Sequence, residues 1–261
     1  FIENQCRLMC LKVIGKDKLP VIGEYSAGLI RNKIFGETLE KLNDIQDEVP
    51  GRPPVLCAGC PHRATYYVLK KLKLTVSGDI GCYTLGALAP LESVDTCVCM
   101  GASVGVAFGM EKAIGEEQSK KTVAVIGDST FIHSGITGLI DMVYNKSKGT
   151  VIILDNSITG MTGHQQNPTT GFTIKGEPTK QVDLIKLCHA VGVDRVKVCD
   201  PFNLKEFEQI VKEEVAADEL SVIIAQRPCA LLKYVKFGPI LTINQDKCTK
   251  CRMCMKLGCP A

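Results

Sequence analysis

The sequence lacks tryptophan and holds only 4 histidines among 261 residues. It also lacks an excess of charge, because 31 Lys and Arg oppose 28 Asp and Glu for a formal net charge of +3. This balance removes the basic surface that is typical of a dedicated nucleic-acid-binding protein. No apolar run approaches the roughly 18 residues of a membrane span, and no basic segment precedes an apolar one at the start. We therefore expect a cytoplasmic protein that binds neither nucleic acid nor membrane.

Cysteine, in contrast, is abundant, with 14 residues in the chain. A chain of this length needs no disulfide scaffold, and it carries no secretory signal. Closely spaced cysteines in such a chain indicate metal or redox chemistry. The first residue is Phe1 and the last, Ala261, stands directly behind a cysteine motif, so we expect both ends to be cut from a longer chain.

The chain divides by composition into three parts. We interpret residues 1–50 as a tail or a remnant of a preceding domain or linker, which ends at a proline-rich stretch. Within 51–237, short β-branched runs predict strands at 74–77, 123–126, 151–154, 196–198 and 222–225, and amphipathic segments between them predict helices at 103–114, 135–144, 181–190 and 204–216. This alternation favours an α/β fold with a mostly parallel sheet and helices on both faces. Residues 238–261 form a separate, cysteine-rich module.

Polar residues follow two consecutive predicted strands. Gly127, Asp128 and Ser129 follow one strand, and Asp155 and Asn156 follow the next. Ligands of such sheets bind beyond the carboxyl ends of the strands, and Mg²⁺ prefers hard oxygen ligands together with phosphate and water. Each turn by itself is more simply a plain turn or a helix cap. The two together favour a site for a metal ion and a diphosphate.

The same residues resemble the thiamine diphosphate motif, usually written GDG, a gap in the mid-twenties, and NN. Ser129 stands where a second glycine is usual, and Asp155 stands where the first asparagine is usual. The resemblance implies that Mg²⁺ is held by the side chains of Asp128 and Asn156 and by the backbone carbonyl of Ile158. It implies cofactor contacts at Gly101, Gly127, Ser129, Thr159 and Met161 as well. Gly101 also begins a stripe of glycines that fits close helix packing equally well.

Cys57 and Cys60 form a C-x₂-C pair behind the proline-rich stretch, and Cys82 follows the next predicted strand. Such a pair fits a zinc half-site, a redox dithiol or chance, and four thiolates suit zinc as well as iron. From spacing alone these alternatives stay open.

A wider pattern resembles the 2-oxoacid:ferredoxin oxidoreductases, and within them the large (alpha) subunit of those that act on indolepyruvate. It is carried by the segments 52–63 (RPPVLCAGCPHR), 78–86 (GDIGCYTLG) and 127–135 (GDSTFIHSG). The resemblance implies a proximal [4Fe–4S] cluster held by Cys57, Cys60, Cys82 and Cys229. It departs from the family at Pro61 and His62, which replace the usual glycine behind the second cysteine.

The terminal cysteines Cys248, Cys251, Cys254 and Cys259 form a C-x₂-C-x₂-C-x₄-C-P run. Its last gap is one residue longer than in the common bacterial ferredoxin run. The spacing favours a ferredoxin-type [4Fe–4S] cluster, with a zinc knuckle as the alternative. We expect the partner half of a ferredoxin module to follow Ala261, and the chain without it to assemble this cluster poorly.

Six cysteines show no full ligand pattern: Cys6, Cys10, Cys97, Cys99, Cys188 and Cys199. Cys188 and Cys199 occupy core-like positions, where a thiol behaves as a small hydrophobic side chain. These six cysteines are assigned to no metal site.

The resemblance implies oxidative decarboxylation of an arylpyruvate such as indolepyruvate to an aryl-acetyl-CoA. Coenzyme A would take the acyl group, ferredoxin the electrons, and a beta subunit would complete a hetero-oligomer. His62, His133 and His164 are the candidate catalytic residues, although each could be an ordinary hydrogen-bonded loop residue. The activating Glu of thiamine enzymes is expected in a pyrimidine-binding domain upstream, so this chain alone is expected to be inactive.

Two alternatives belong to other functional classes. A non-oxidative thiamine-dependent decarboxylase or acetolactate-synthase-like enzyme would need no cysteine clusters. A non-catalytic iron–sulfur electron-transfer module would need no pairing of Asp128 with Asn156.

Overall fold

A computed structural model of the protein describes residues 1–38, 50, 51, 53–236, 238, 239 and 242–258. The chain divides into two compact units, Phe1–Arg52 and Pro53–Ala261. The first unit contains the helices α1 (Ile2–Leu8) and α2 (Ala27–Phe35), and neither buries a side chain. No helix in the described part of the chain is long and apolar enough to cross a membrane.

The second unit is built on a six-stranded parallel sheet. Its spatial order is β2-β1-β3-β4-β6-β5. The strands are β1 (Thr75–Gly78), β2 (Thr96–Cys97), β3 (Thr122–Gly127), β4 (Thr150–Asp155), β5 (Arg195–Cys199) and β6 (Ser221–Gln226). In the register, Gly127 lies opposite Leu154 and Asp155 lies opposite Gln226, so the carboxyl ends of β3, β4 and β6 meet at one edge.

The described residues of this unit form the helices α3 (Pro61–Leu72), α4 (Ala102–Ile114), α5 (Glu116–Ser119), α6 (Asp128–Thr130), α7 (Ile136–Tyr144), α8 (Leu184–Ala190) and α9 (Leu204–Ala216). A π-helical turn over Phe131–Gly135 joins α6 to α7. Short 3₁₀ turns occupy Cys82–Ala87 and Met253–Leu257. The described residues of the terminal segment contain no strand, so a ferredoxin-like module there stays a prediction.

The central strands are buried on both faces because alternate side chains enter two separate cores. Val123 and Val125 of β3 pack with side chains of α3 and α9. Ala124 and Ile126 of the same strand pack with α4, α7 and α8. The predicted α/β fold, with a parallel sheet covered on both faces, is therefore confirmed.

Phe207 of α9 offers a direct test of the first core. Its ring is fully buried (0% exposed), whereas Phe202, five residues earlier, is 41% exposed. We expect Phe207→Ala to lower the free energy of unfolding by about 3–5 kcal/mol in chemical denaturation, because it removes a packed ring and leaves a cavity.

The control for this test is Phe202→Ala, which removes a ring stacked on the Arg227 guanidinium at 3.9 Å. Such a contact at a solvent-exposed site is worth roughly 0.5–1 kcal/mol. Equal losses of stability in the two variants would contradict the proposed role of α9 in the core.

Candidate active site

A cavity of about 100 Å³ opens at the carboxyl ends of β3 and β4. It lies where parallel α/β sheets bind their ligands. The residues around it come from the ends of β3 and β4, from the segments behind β1, β2, β3 and β4, and from the start of α3: His62, Ile80, Gly81, Cys82, Tyr83, Met100, Gly127, Asp128, Ser129, Thr130, Leu154, Asn156, Ile158, Thr159, Gly160, Met161 and Thr162. Seven of the eight residues predicted to touch the cofactor are among them.

Asp128 is the buried carboxylate of this cavity. Its Oδ1 accepts the backbone N–H of Ser129 at 2.8 Å, and its Oδ2 accepts the hydroxyl of Thr169 at 3.1 Å. Burial raises the pKa of Asp128 to about 7, and the negative charge of Asp155 adds to the rise. A bound cation would favour the charged form of this carboxylate.

Asn156 stands across the cavity at the end of β4 and is also buried. Its side-chain oxygen accepts the N–H of Ile158 at 3.4 Å, and its backbone carbonyl accepts the N–H of Cys229 at 2.9 Å. The second of these bonds ties the end of β4 to the segment behind β6. Cys229 is thereby held next to the backbone of a predicted metal ligand.

Asp155 stands where the motif usually has asparagine, and it stabilises the backbone around the site. Its Oδ1 accepts the N–H of Ser157 at 3.0 Å, and its Oδ2 accepts the side-chain amide of Gln226 at 2.7 Å. Ser157 has a φ of +58°, a left-handed conformation that this turn imposes. The carboxylate therefore stabilises the turn that presents Asn156 and Ile158.

Gly127 allows an aromatic ring to lie against the end of β3. A Cβ atom at this position would stand 2.6 Å from the ring of Tyr83, closer than real contacts permit. Tyr83 donates its hydroxyl to the carbonyl of Ile80 at 3.0 Å, and burial raises its pKa. The glycine is thus needed for the packing of the cavity wall, in addition to any approach of a phosphate.

Gly101 lies beside the cavity and is not among its lining residues, which include its neighbour Met100. Its φ is +87°, and a Cβ there would stand 2.3 Å from the hydroxyl of Ser134. The N–H of Gly101 donates to the fully buried Asp79 at 2.8 Å, and that of Ser103 donates to the same carboxylate at 3.0 Å. Asp79 therefore caps α4 and fixes the loop that carries Met100.

The three candidate histidines occupy different environments. His62 is buried and lines the cavity, with its Nε2 3.5 Å from the side-chain nitrogen of Asn156. Burial lowers the pKa of His62 to about 4, so its imidazole is neutral at pH 7. His133 and His164 are exposed and do not line the described cavity. The structure therefore brings only His62 together with the other site residues.

The cysteines predicted to hold a proximal cluster lie close enough to influence one another. Burial raises the pKa of the Cys60 thiol to about 12, while the N–H of His62 opposes the rise and charges on Cys57, Cys229 and Cys82 add to it. The pKa of Cys82 is raised by burial and then by Cys229 and Cys57. The four thiols, from three segments of the chain, therefore lie in one neighbourhood, and Cys82 also lines the cavity.

The terminal cysteines Cys248, Cys251 and Cys254 are exposed, and Cys259 lies outside the described residues. The backbone N–H of Met253 lowers the pKa of Cys251. Within the described ranges, no three His, Cys, Asp or Glu side chains stand in a geometry that would hold a metal ion as placed.

A comparison with protein families decides what kind of domain this is. The family model of the thiamine pyrophosphate enzyme C-terminal TPP-binding domain matches residues 79–225, which include the whole edge of the sheet around Asp128 and Asn156. The chain belongs to this family. Thiamine pyrophosphate is the thiamine diphosphate of the sequence motif, so the family prediction is confirmed.

Curated relatives of this TPP-binding domain protein are oxidoreductase subunits. The indolepyruvate oxidoreductase subunit IorA of Pyrococcus horikoshii is 39% identical, over 96% of this chain and 43% of that protein. The IorA subunit of Archaeoglobus fulgidus is 38% identical, over 100% of this chain and 45% of that protein. The chain thus spans less than half the length of these relatives. The 2-oxoglutarate synthase subunit KorB of Archaeoglobus fulgidus is 26% identical over 72% of this chain and 74% of its own.

A solved structure supports the same fold. The 2-oxoglutarate:ferredoxin oxidoreductase from Magnetococcus marinus superposes with a TM-score of 0.57 and 19% sequence identity, over 74% of this chain and 72% of that one. At this identity the likeness establishes the fold of the TPP-binding domain.

Sequence reasoning missed several residues that shape the site. Thr169 and Asn167 contact Asp128 from a loop about forty residues away, the latter at 3.5 Å. Asp79 and Tyr83 support the cavity wall. The only available signal for the loop was the turn composition of 167–170 (NPTT), and turn residues do not reveal which carboxylate they reach.

Cys188 in α8 and Cys199 in β5 are buried, as predicted from their core-like positions in the sequence. Burial raises the pKa of each thiol to about 12, with a further rise at Cys199 from Glu206 and Asp200. The thiolate fraction at pH 8 is then on the order of 10⁻⁴, and only the thiolate is nucleophilic.

We therefore expect Cys188 and Cys199 to resist iodoacetamide in the native protein at pH 8 and to react fully in guanidinium. Mass spectrometry of the labelled peptides gives the measurement. Labelling in the native state should increase only as the pH rises towards 12. Rapid native labelling at pH 8 would show that these thiols are accessible.

Proposed function

We propose that this chain supplies the diphosphate- and Mg²⁺-binding half of the active site of a thiamine-dependent oxidoreductase. The enzyme would oxidatively decarboxylate arylpyruvates such as indolepyruvate to aryl-acetyl-CoA, with coenzyme A as acyl acceptor and ferredoxin as electron acceptor. One observation carries the proposal: Cys82 lines the same cavity as Asp128 and Asn156 and also lies near enough to Cys57 and Cys229 for their charges to raise its pKa. A thiol set beside the cofactor cavity favours an oxidative reaction over a non-oxidative decarboxylation.

The residues of the cavity fit Mg²⁺ and a diphosphate. Asp128, Asn156 and the carbonyl of Ile158 are hard oxygen donors around one cavity, and Mg²⁺ commonly combines one or two such side chains with phosphate oxygens. Asp128 begins a helical stretch that continues to Tyr144, and a helix start favours anions. These residues would clamp and orient the diphosphate end of the cofactor.

Thiamine diphosphate supplies a carbon nucleophile and a place to hold the electrons left by decarboxylation. His62 contributes a neutral imidazole, in which one ring nitrogen donates a hydrogen bond and the other accepts one. Its edge-on contact with Tyr83, with ring centroids 5.8 Å apart, fixes the orientation of the imidazole. Tyr83 and Leu154 keep this wall of the cavity apolar and limit the access of water.

The cysteines supply the thiolate ligands that [4Fe–4S] clusters require, and such clusters would serve this reaction. Cys57, Cys60, Cys82 and Cys229 would hold a proximal cluster, which would supply a one-electron acceptor beside the cavity. Cys248, Cys251 and Cys254, with Cys259, would hold a ferredoxin-type cluster.

The proposed substrate and partners rest on the relatives. Six curated relatives are named indolepyruvate oxidoreductase subunit IorA, at 36–40% identity. We infer by this similarity a cytoplasmic hetero-oligomer with a beta subunit. Because the chain spans less than half of these proteins, the rest of the active site would come from other parts of the assembly.

The proposal is tested with the full-length protein in its natural assembly under anaerobic conditions. We expect ferredoxin reduction that requires thiamine diphosphate, coenzyme A and an arylpyruvate, with indolepyruvate used more efficiently than 2-oxoglutarate. Thiamine-dependent CO₂ release without ferredoxin reduction would support a non-oxidative decarboxylase instead. Faster turnover of 2-oxoglutarate would contradict the proposed substrate class.

A further inference from the structure

Arg63 is a buried cation that the proposed chemistry does not use. It is the third residue of α3, follows His62 directly, and is 7% exposed. Burial of a guanidinium is costly unless its N–H groups find acceptors. The partners of Arg63 are all backbone carbonyls, so its position reflects a structural connection between chain segments.

The guanidinium of Arg63 binds the loop that carries the first cysteine pair. Its Nε donates to the carbonyl of Cys57 at 3.0 Å, and one terminal nitrogen donates to the carbonyl of Leu56. Because Cys60 is the N-cap of the helix that contains Arg63, both ends of the C-x₂-C loop are fixed to this helix.

The other terminal nitrogen of Arg63 binds the terminal cysteine segment, here defined as residues 242–258. It donates to the carbonyl of Leu257 at 2.7 Å and to that of Gly258. Leu257 lies 194 residues from Arg63 in sequence. Among the described residues, every hydrogen bond recorded between this segment and the rest of the chain is donated by Arg63.

The fit on the other side of this contact depends on Gly258. Its φ is +62°, and a Cβ there would stand 2.5 Å from Cδ of Pro90 and 3.2 Å from the terminal nitrogen of Arg63. Any side chain would therefore separate the segment from both neighbours. Leu257 and Gly258 are partly buried, whereas the preceding residues of the turn are exposed.

We propose that Arg63 is a positioning residue that docks the terminal cysteine segment on the Cys57–Cys60 loop and so fixes the spacing between the two cysteine sets. This inference rests on the proposed function, because spacing matters only if both sets hold clusters that exchange electrons. Electron transfer slows exponentially with separation. A rigid tie between the two sets would keep the path from the cavity to the terminal cluster short.

Arginine suits this role better than lysine. Its planar fork directs donors to opposite sides, and here they reach two chain segments at once. A lysine has its three donors on one nitrogen and can serve one of the two segments. Arg63→Lys should therefore keep the charge and lose most of the docking.

The test compares Arg63→Gln, Arg63→Lys and Gly258→Ala in the full-length protein with its natural partners. The first readout is amide hydrogen exchange of residues 253–258, where the N–H groups of Met255 and Gly258 are bonded within the turn. We expect exchange about tenfold faster in all three variants, with exchange in β3 and β4 unchanged.

Gly258→Ala disrupts the contact between Gly258 and Arg63 from the side of the terminal segment and leaves Arg63 in place. It therefore tests the docking even if the Arg63 variants do not fold. Its matched control is Gly176→Ala, which introduces the same Cβ at a φ of +84° with no atom within 4 Å. Unchanged exchange at 253–258 in Gly258→Ala and in any folded Arg63 variant would overturn the proposed docking.

The second readout separates docking from electron transfer. With substrate present, we expect reduction of the proximal cluster to keep its wild-type rate in Gly258→Ala, which leaves the bonds of Arg63 to the Cys57–Cys60 loop in place, while ferredoxin reduction slows about tenfold or more. Loss of docking with unchanged ferredoxin reduction would overturn the role in spacing. If wild-type protein contains no iron, the proposed function fails, and the exchange experiment still decides whether Arg63 docks the segment.

Discussion

Asp128→Asn is expected to weaken the Mg²⁺-dependent binding of thiamine diphosphate by at least about 100-fold. The substitution keeps the shape of the side chain and removes the charge that would face the metal. Outer hydrogen-bond partners of metal ligands are themselves worth about 10–100-fold in affinity, and a direct ligand should exceed them. Calorimetric titration of the full-length protein with thiamine diphosphate, with and without Mg²⁺, measures the effect.

Two further variants provide an intermediate case and a control for this experiment. Thr169→Ala removes the hydroxyl that donates to Asp128 at 3.1 Å and should cost about tenfold in affinity. Asp141→Asn changes an exposed aspartate of α7 and should bind the cofactor as the wild type does. If Asp128→Asn bound the cofactor with unchanged affinity, the assignment of the diphosphate site would be wrong.

Cys229→Ser is expected to remove the iron of one cluster, about four atoms per chain, from anaerobically purified protein. Cys229 lies near Cys57, Cys60 and Cys82, and its backbone N–H donates to the carbonyl of Asn156 at 2.9 Å. Loss of its thiolate leaves three ligands for the cluster. Quantification of iron and acid-labile sulfide, together with EPR of the reduced protein, gives the measurement.

The matched control for this experiment is Cys199→Ser, a buried cysteine outside both thiol sets. It should leave the iron content unchanged. Zinc in place of iron in the wild-type protein would favour the alternative of a structural zinc site. Full iron content in Cys229→Ser would exclude this cysteine from the ligand set.

The site residues that follow the strands were the part of the molecule that the sequence predicted best. Asp128 and Asn156 follow consecutive strands, and in a parallel sheet such residues meet at one edge. Their common cavity therefore follows from chain order and strand direction. Thr169 could not be found this way, because its loop has no periodicity that specifies where it returns.

The helix α3 was not predicted, although Ala64, Val68 and Leu72 form an apolar face at helical spacing that periodicity could have detected. What periodicity could not detect is that its first turn also buries the polar residues His62 and Arg63. The two-residue strand β2 was missed because it is too short to show alternation.

The spacing of the cysteines along the chain did not by itself predict the proximal set. Cys57 and Cys60 are a local pair, but Cys229 lies far along the chain, and only the family pattern grouped it with them. The structure places these thiols near one another through the loops behind β1 and β6. The role of the terminal run stays a prediction, because Cys259 is outside the described residues.

The central claim is that a thiamine diphosphate site lies beside the thiols that hold an electron-accepting cluster, with Cys82 in the cavity wall. It is tested most directly by mixing the anaerobic full-length assembly with indolepyruvate and following the clusters by freeze-quench EPR. We predict a reduced [4Fe–4S] signal that appears with thiamine diphosphate, is absent without it, and is lost in Cys82→Ser. Cluster reduction that is independent of thiamine diphosphate, or no reduction at all, would contradict the account.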